Sequence, residues 1–311
     1  MQVSAAAFHT SRHLDEQQLL PADPHCPFCN SKNRERIADI QADPEVVLLR
    51  CDGCQACSVS RLPTADALAD YYSGYYTNAV GGERAEPEIT FDQHERFGKH
   101  LGGNWLRNGG RGRESLRVLD FGGGDGTLAH ATAEVLIRAG VRQVDIEVVE
   151  HQTELLSPED ERITIVGFDT LEEVSGQFDI VIASAIVEHL ATPRTDLDRL
   201  LDLLAPGGMF YARTPYIVPL MRCGALFGIR WDFTFPAHLH DLGQSFWEGW
   251  FAQPRTRHDF QVVGSHPSIV ETTFSRHFTR TLASRLLKAP WYILGRYYGL
   301  VGGWEIFVKR Q

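Results

Sequence analysis

The sequence predicts an α/β fold with a seven-stranded sheet, preceded by a small cysteine-rich domain. Two observations lead to this prediction. Short apolar runs separated by longer helical segments recur from residue 118 to the end of the chain, and strands that alternate with helices are typical of a sheet covered by helices. Two Cys-x-x-Cys pairs lie between residues 26 and 54, which is the spacing of a small metal-binding module.

The first predicted strand of the sheet ends in the turn Asp120-Phe-Gly-Gly-Gly-Asp-Gly126. Gly122, Gly124 and Gly126 allow the backbone to approach a ligand where a Cβ would clash. The helix that begins near Thr127 directs its first N–H groups toward the same ligand. A dinucleotide fingerprint needs a glycine at the position of Thr127, so the turn predicts a nucleotide-type cofactor other than a dinucleotide.

Polar residues follow the next three predicted strands, at the edge of the sheet where open α/β folds bind ligands. They are Glu150 after Val144–Val149, Asp169 after Ile163–Val166, and Ser184 after Phe178–Ala183. Three further strands are expected at Leu204–Ala212, Phe260–Val263 and Trp304–Val308.

This series resembles the motifs of the class I methyltransferases that use S-adenosylmethionine (SAM), whose first motif is D-x-G-x-G-x-G, and the resemblance spans residues 118–214. It implies a Rossmann-like fold with a mixed seven-stranded sheet, because the last two strands form an antiparallel edge pair. It also implies SAM as the cofactor, with the acid at Glu150 on the ribose hydroxyls and the acid at Asp169 on the adenine amino group. The expected cofactor-binding residues are Asp120, Gly122, Gly124, Gly126, Glu150, Asp169 and Ser184.

Cys26-Pro-Phe-Cys29 and Cys51-Asp-Gly-Cys54 have zinc-ribbon spacing. Two such turns supply the four sulfur ligands of a structural Zn²⁺ and leave no coordination position open for catalysis. Cys57 is an alternative ligand, since Cys54-Gln-Ala-Cys57 has the same spacing. We favour Cys51 and Cys54, because Cys57 falls at an apolar strand position. Disulfides are the rival interpretation, which the lack of a secretion signal disfavours.

A zinc ribbon followed by this catalytic domain resembles a bacterial family of sugar- and polysaccharide-modifying methyltransferases that includes sugar C-methyltransferases. The segments that carry the resemblance are Tyr71–Tyr76, Val187–Leu190, Ala237–Asp241 and Gly303–Val308. The longer sugar C-methyltransferases have a further C-terminal domain that this sequence lacks, so their ketosugar substrate is not carried over. We expect methyl transfer to a hydroxyl or a carbon of a small polar acceptor, either a sugar or a nucleotide- or lipid-linked sugar conjugate.

Composition shifts divide the chain into four expected parts, with a substrate cover inside the last. They are an N-terminal arm at 1–24, the ribbon at 25–62, a helical linker or cap at 63–115 and the SAM-binding domain at 116–311, with the cover at 216–242. The cover is long for an α/β connection and rich in aromatic and histidine residues, which indicates a functional segment.

Methyl transfer requires a base that removes the acceptor proton. His189 follows the fourth strand of the sheet, where it is placed to act as that base, and Glu188 either fixes its tautomer or acts on its own. His240, with His238 two residues before it, could approach from the cover instead. The alternative for His189 is a structural role that caps or packs the following helix.

The formal net charge of −10 disfavours a nucleic-acid substrate, because phosphate contacts demand a basic face. An RNA methyltransferase whose ribbon helps to hold RNA remains the alternative function. The sequence contains neither a signal peptide nor a run of about 20 apolar residues, so a cytoplasmic protein without a transmembrane segment is expected.

One segment departs from the acidic average. Thr272–Trp304 contains no acid, while five basic residues alternate with aromatic ones. They are Arg276, Arg280, Arg285, Lys288 and Arg296, with Trp291, Tyr292, Tyr297 and Tyr298. This pattern is compatible with peripheral contact to anionic lipid, with a clamp for a diphosphate, or with a solvated helix face.

Overall fold

A computed structural model describes residues 2–4, 11–77, 91, 93–110, 112–151, 154–253 and 258–311, with the side chains of 2–4 and 73–77 left out. The strands are β1 Gln2–Ser4, β2 Arg34–Gln41, β3 Val46–Cys51, β4 Cys57–Val59, β5 Ser115–Phe121, β6 Gln143–Val149, β7 Ile163–Phe168, β8 Phe178–Ser184, β9 Leu204–Tyr216, β10 Arg230–Asp232, β11 His240–Asp241, β12 Phe260–Pro267 and β13 Gly302–Arg310. The helices are α1 Ala65–Thr77, α2 His94–Arg107, α3 Thr127–Arg138, α4 Pro193–Asp202, α5 Val218–Ala225, α6 Gln244–Ala252, α7 Phe278–Lys288 and α8 Trp291–Leu294.

A seven-stranded mixed sheet forms the centre of the protein, in the order β12-β13-β9-β8-β5-β6-β7. The five strands from β9 to β7 are parallel, and β13 lies antiparallel between β9 and β12. The expected Rossmann-like mixed sheet is therefore confirmed. Because the parallel strands share one direction, their carboxyl ends meet at one edge, where the predicted cofactor residues lie.

Helices cover both faces of this sheet, as two separate apolar clusters show. On one face α2 contributes Phe97 and Trp105, both buried. The close crossing of α2 over α3 depends on Gly98, since a Cβ there would lie 2.2 Å from the carbonyl oxygen of Ala131. On the other face α6 contributes the buried Trp247.

The cysteine-rich domain forms a four-stranded antiparallel sheet in the order β11-β4-β3-β2. Its fourth strand, β11, comes from the segment expected to be the substrate cover, and His240 pairs there with Ser58. Phe28 of this domain is fully buried in the core that contains Trp247. The ribbon is thus fused to the catalytic domain through backbone pairing and shared core.

The N-terminal segment differs from the loose arm expected from its polarity. β1 pairs in parallel with β10, and Leu14 and Leu19 are buried in a third apolar cluster together with Leu48 of the ribbon. Two well-spaced leucines are enough to anchor the segment, because each buried leucine stabilises by about 1.5–3 kcal/mol.

Candidate functional site

The glycine turn connects β5 to α3 in the backbone conformation that glycine allows. Gly122, Gly124 and Gly126 all have positive φ, of 69°, 57° and 84°. A Cβ on Gly122 would lie 2.5 Å from Ile186, whereas one on Gly124 would meet nothing within 4 Å. The turn is therefore packed at Gly122 and opens to space at Gly124, and Asp125 closes its far side by accepting from the Thr127 N–H at 2.9 Å.

Two acids lie against the glycine turn. Asp120 is buried against Gly123, and none of the described residues bonds its Oδ2. Burial, reinforced by the charge of Glu150, raises the pKa of Asp120 to about 7. Glu150 accepts the N–H of Gly124 on Oε2 at 3.2 Å and the N–H of His151 on Oε1 at 3.1 Å, so its carboxylate is fixed beside the open position of the turn.

The other two predicted cofactor residues lie at the same edge of the sheet. Asp169 directly follows β7; its exposed carboxylate is 3.9 Å from His151 Nδ1. Ser184 ends β8 and accepts from Arg213 Nε at 3.2 Å. Arg213 in turn forms an ion pair with Glu271.

A cluster of polar side chains follows β8. His189 Nδ1 lies 2.8 Å from the carbonyl oxygen of Ala237 and 3.2 Å from the hydroxyl of Tyr72. Its ring meets that of His238 edge-on, with centroids 5.0 Å apart. The ligand atoms of Glu188, His189 and His238 lie within 4.8 Å of one another. Ile186, three residues before His189, touches Gly122, so this cluster lies beside the glycine turn.

Glu188 is the buried acid of this cluster. Its side chain is 3% exposed, and its Oε2 has no hydrogen-bond partner among the described residues. Burial raises the pKa of Glu188 to about 8, despite the opposing charge of Arg213. Its Oε1 is 3.9 Å from His189 Nε2. Burial therefore favours the neutral form of this acid, and a positive charge that forms nearby makes it easier to ionise.

His240 is not one of the side chains that meet in this cluster. His240 is fully buried, donates from Nε2 to the carbonyl of Leu190 at 2.8 Å and meets the Phe28 ring edge-on at 5.0 Å. Burial lowers its pKa to about 4. This placement packs His240 between the ribbon and the catalytic domain, and its catalytic role stays a prediction. His238, its neighbour in the sequence, is the histidine that reaches His189.

The four predicted zinc ligands lie together at one end of the ribbon. Their sulfur atoms are all within 4.8 Å of one another, with Cys26 and Cys54 at 3.5 Å and Cys29 and Cys51 at 3.4 Å. Cys57 lies in β4 and is buried in a different apolar cluster with Leu48. The four-sulfur donor set suits a structural Zn²⁺, since Zn–S bonds of about 2.3 Å place tetrahedral sulfurs about 3.8 Å apart.

Comparison with known families identifies this chain. The sequence model of a family described as a methyltransferase domain matches residues 93–263, which is more than half of the chain and runs from α2 into β12. The chain belongs to this methyltransferase domain family. The glycine turn, Glu150 and Asp169 lie within the matched residues, and so does the seven-stranded sheet except for the end of β12 and all of β13.

Curated relatives of this methyltransferase include ubiquinone biosynthesis O-methyltransferases. One from Caulobacter sp. (strain K31) is 33% identical over 149 residues, which covers 43% of this chain and 56% of that protein. Another from Cereibacter sphaeroides (strain ATCC 17023) is 30% identical over 135 residues, covering 41% of this chain and 53% of that protein. The methyltransferase thus spans about half the length of the curated relatives it matches.

Solved structures of similar fold include the plantazolicin methyltransferase BpumL in complex with SAH, with 14% identity, a TM-score of 0.48 and coverage of 79% of this chain and 91% of that one. A magnesium protoporphyrin IX methyltransferase from Synechocystis PCC 6803 has 15% identity, a TM-score of 0.41 and coverage of 70% and 83%. At these scores the likeness says nothing about the acceptor.

SAM fits the described residues of the glycine turn. The open space at Gly124 would be filled by a Cβ, and the fixed carboxylate of Glu150 lies beside it. No helix among the described residues is both long and apolar enough to cross a membrane.

Sequence reasoning missed Arg213, which lies 5% exposed in the site. The register of β8 and β9 places it directly beside Ser184. Its guanidinium also lies over the Phe91 ring, 4.8 Å from the centroid. A charged residue that continues the apolar strand Leu204–Ala212 is the signal that could have indicated it. Tyr75 and Tyr76 of the predicted aromatic cluster have side chains outside the described residues, whereas Tyr72 reaches His189.

Proposed function

We propose that this methyltransferase transfers the methyl group of SAM to a hydroxyl of a small polar acceptor, a sugar or a sugar conjugate, with His189 as the general base. The observation on which the proposal rests is the contact between His189 Nδ1 and the Ala237 carbonyl at 2.8 Å. A carbonyl oxygen can only accept, so Nδ1 carries the hydrogen and the basic lone pair lies on Nε2.

The cofactor is proposed to lie along the carboxyl edge of the parallel strands. Gly124 would leave room for its methionyl part, Glu150 would bind its ribose hydroxyls and Asp169 would bind its adenine amino group. Asp120 and Ser184 support this cradle from β5 and β8. When bound, SAM supplies a methyl group that its sulfonium already activates, so the protein has to orient the acceptor and accept its proton.

The residues around His189 are proposed to carry out that task. Nε2 would take the acceptor proton as the acceptor oxygen bonds the methyl carbon and the sulfur–methyl bond breaks, its electron pair staying on sulfur. The resulting imidazolium would lie 3.9 Å from Glu188 Oε1. The carboxyl oxygen of Glu188 then stabilises the protonated ring electrostatically, without a further proton transfer. Tyr72 and Ala237 keep the ring oriented from the Nδ1 side.

The polar lining supports a polyhydroxyl acceptor. Sugar hydroxyls both donate and accept, and Glu188, His238 and Arg213 offer partners of both kinds around the base. Arg213 and Glu271 are proposed to bind neighbouring hydroxyls, because their ion pair is next to Ser184 at the same edge.

A phenolic hydroxyl is the second candidate acceptor. It is favoured by the curated relatives, which are named ubiquinone biosynthesis O-methyltransferases. A phenol is more acidic than a sugar hydroxyl, so it depends less on a strong base. Loss of His189 would therefore cost less turnover with a phenol than with a sugar.

RNA is not supported as the acceptor. Three arginines of the ribbon are paired with acids, which reduces the positive charge that the ribbon offers to phosphates. The ion pairs are Arg36 with Asp39 and Glu45, Arg50 with Glu35, and Arg61 with Glu16.

An acceptor screen tests the proposal. Purified enzyme is incubated with methyl-labelled SAM and separate pools of nucleotide sugars, lipid-linked sugars, catechols and RNA, and the label in each acceptor is measured. We expect transfer to a sugar pool, lost in His189→Ala and retained in His240→Gln. Label found only in the catechol pool would show that the acceptor is a phenol and not a sugar. Label found only in RNA would refute both the sugar and the phenol.

The cysteine cluster is proposed to hold one structural Zn²⁺ through Cys26, Cys29, Cys51 and Cys54. Its contribution is to folding, because the metal would fix the turn that carries Phe28 against the core of the catalytic domain. Through the β4–β11 pair the ribbon also positions the segment that contains Ala237, and hence the ring of His189.

A further inference from the structure

Exposed apolar side chains are concentrated in one stretch of this protein. Twelve large hydrophobic side chains are exposed among the described residues, and eight of them lie between residues 274 and 297. They are Phe274, Phe278, Leu282, Leu286, Tyr292, Ile293, Leu294 and Tyr297. Single exposed apolar residues are ordinary, but a contiguous group of them marks an interaction surface.

Helix α7 presents part of this group as one stripe. Phe278, Leu282 and Leu286 are spaced by four residues, so they lie along one face of the helix, and they are 60%, 39% and 63% exposed. Thr281, which directly precedes Leu282, is fully buried. The helix therefore has an apolar face directed to solvent in addition to the face that packs on the protein.

Helix α8 adds a projection next to this stripe. Trp291 meets Trp304 of β13 edge-on at 5.5 Å and anchors the turn. The next residues, Tyr292, Ile293 and Leu294, are 70%, 88% and 50% exposed. Such exposure of consecutive apolar side chains is costly in water unless a partner covers them.

The same stretch is positively charged. Residues 272–304 contain no acid, although the chain as a whole has a formal net charge of −10. Arg276, Arg280, Arg285 and Arg296 are all exposed. Arg285 lies over the exposed Phe274 ring, 5.2 Å from its centroid. Basic side chains beside aromatic and aliphatic ones are the composition of a helix that lies in the interface of an anionic membrane.

We infer that the exposed face of α7 and α8 docks the methyltransferase on an anionic lipid bilayer. The aliphatic and aromatic side chains enter the headgroup boundary, and the four arginines contact lipid phosphates. A second copy of the chain is a poorer occupant, because a symmetric contact would bring two acid-free basic faces together. Nucleic acid would use the arginines but leave Leu286 and Ile293 in water.

This face is close in sequence to the catalytic site. Glu271, seven residues before α7, forms the ion pair with Arg213, and the carbonyls of Val270 and Thr272 accept from Arg96. A bilayer docked on α7 would therefore lie beside the segment that borders the proposed acceptor site. The docking itself does not depend on which acceptor is used.

Co-sedimentation with vesicles tests the inference. The full-length protein is mixed with vesicles of phosphatidylcholine alone or of phosphatidylcholine and phosphatidylglycerol in equal parts. We expect binding to the anionic vesicles that weakens as salt rises. The double variant Leu286→Ser/Ile293→Ser should lose at least about tenfold in vesicle affinity. Arg280→Gln/Arg296→Gln should lose a similar factor in affinity at low salt.

Matched controls exclude unfolding and general charge effects. Val166→Ser removes an apolar side chain that is 53% exposed on β7, and Arg138→Gln/Arg142→Gln removes two surface charges elsewhere; both should bind as wild type does. Thermal unfolding of every variant checks its fold. Failure of wild type to bind anionic vesicles, or equal binding by Leu286→Ser/Ile293→Ser, would overturn the inference. The inference would also be overturned if wild type formed a dimer, the double variant were monomeric and neither protein bound vesicles.

Discussion

Replacing Gly124 by alanine should separate cofactor binding from folding. Gly124 has φ +57°, and an added Cβ meets nothing within 4 Å. An L-residue in this left-handed conformation costs about 1–2 kcal/mol, and no clash adds to it. The free energy of unfolding should therefore fall by about that amount. The methyl group, however, projects into the space proposed for the cofactor.

At Gly122, by contrast, an added methyl group would collide with the protein itself. A Cβ on Gly122 would lie 2.5 Å from Ile186 Cγ1, so Gly122→Ala adds overpacking of about 1–3 kcal/mol to the left-handed strain. We expect the larger loss of stability from Gly122→Ala. For Gly124→Ala we expect at least a tenfold loss of SAM affinity, about 1.4 kcal/mol.

Calorimetric titration with SAM and urea unfolding measure the two quantities separately. Gly140→Ala is the control, because Gly140 also has positive φ, at +106°, with nothing within 4 Å, and lies before β6 at the opposite edge of the sheet. It should lose stability and keep SAM affinity. Wild-type SAM affinity in Gly124→Ala would refute the assignment of this turn as the cofactor cradle.

Three further predictions concern the base, the metal and a buried acid. His189→Ala should lower kcat by about two to four decades at constant SAM affinity; an unchanged kcat would remove His189 from the mechanism. Metal analysis should find about one zinc per chain in wild type and Cys57→Ser but not in Cys54→Ser, and the reverse result would make Cys57 the ligand. Burial raises the pKa of Asp241 from 3.8 to about 7, so the folded protein keeps a proton that the unfolded chain loses. Wild type should lose stability relative to Asp241→Asn as pH rises from about 4 to about 7. Urea unfolding measures this, and the same difference in free energy of unfolding between the two proteins at both pH values would contradict it.

The sheet could be predicted because its signals are local. Each parallel strand is an apolar run that ends in a polar residue, so β5 to β9 were placed from the sequence, with β9 extending four residues past its expected end at Ala212. The glycine turn needs no tertiary information, because positive φ at three positions is encoded by glycine itself. The two Cys-x-x-Cys turns are local in the same way.

Contacts between distant segments could not be predicted. Tyr72 reaches His189 across 117 positions, and no local pattern encodes that approach. The two-residue strand β11 is too short to show a periodicity, although it joins the ribbon to the catalytic domain and directs His240 toward Phe28. For the same reason, alternation alone could not decide which of His238 and His240 faces the base.

A structure of the protein with S-adenosylhomocysteine tests the central claim most directly. We predict that the ribose hydroxyls bind Glu150, that the ligand passes Gly124, and that the sulfur faces His189 with room for one acceptor hydroxyl before Nε2. A ligand bound away from the glycine turn, or a sulfur directed away from His189, would contradict both the cofactor site and the proposed base.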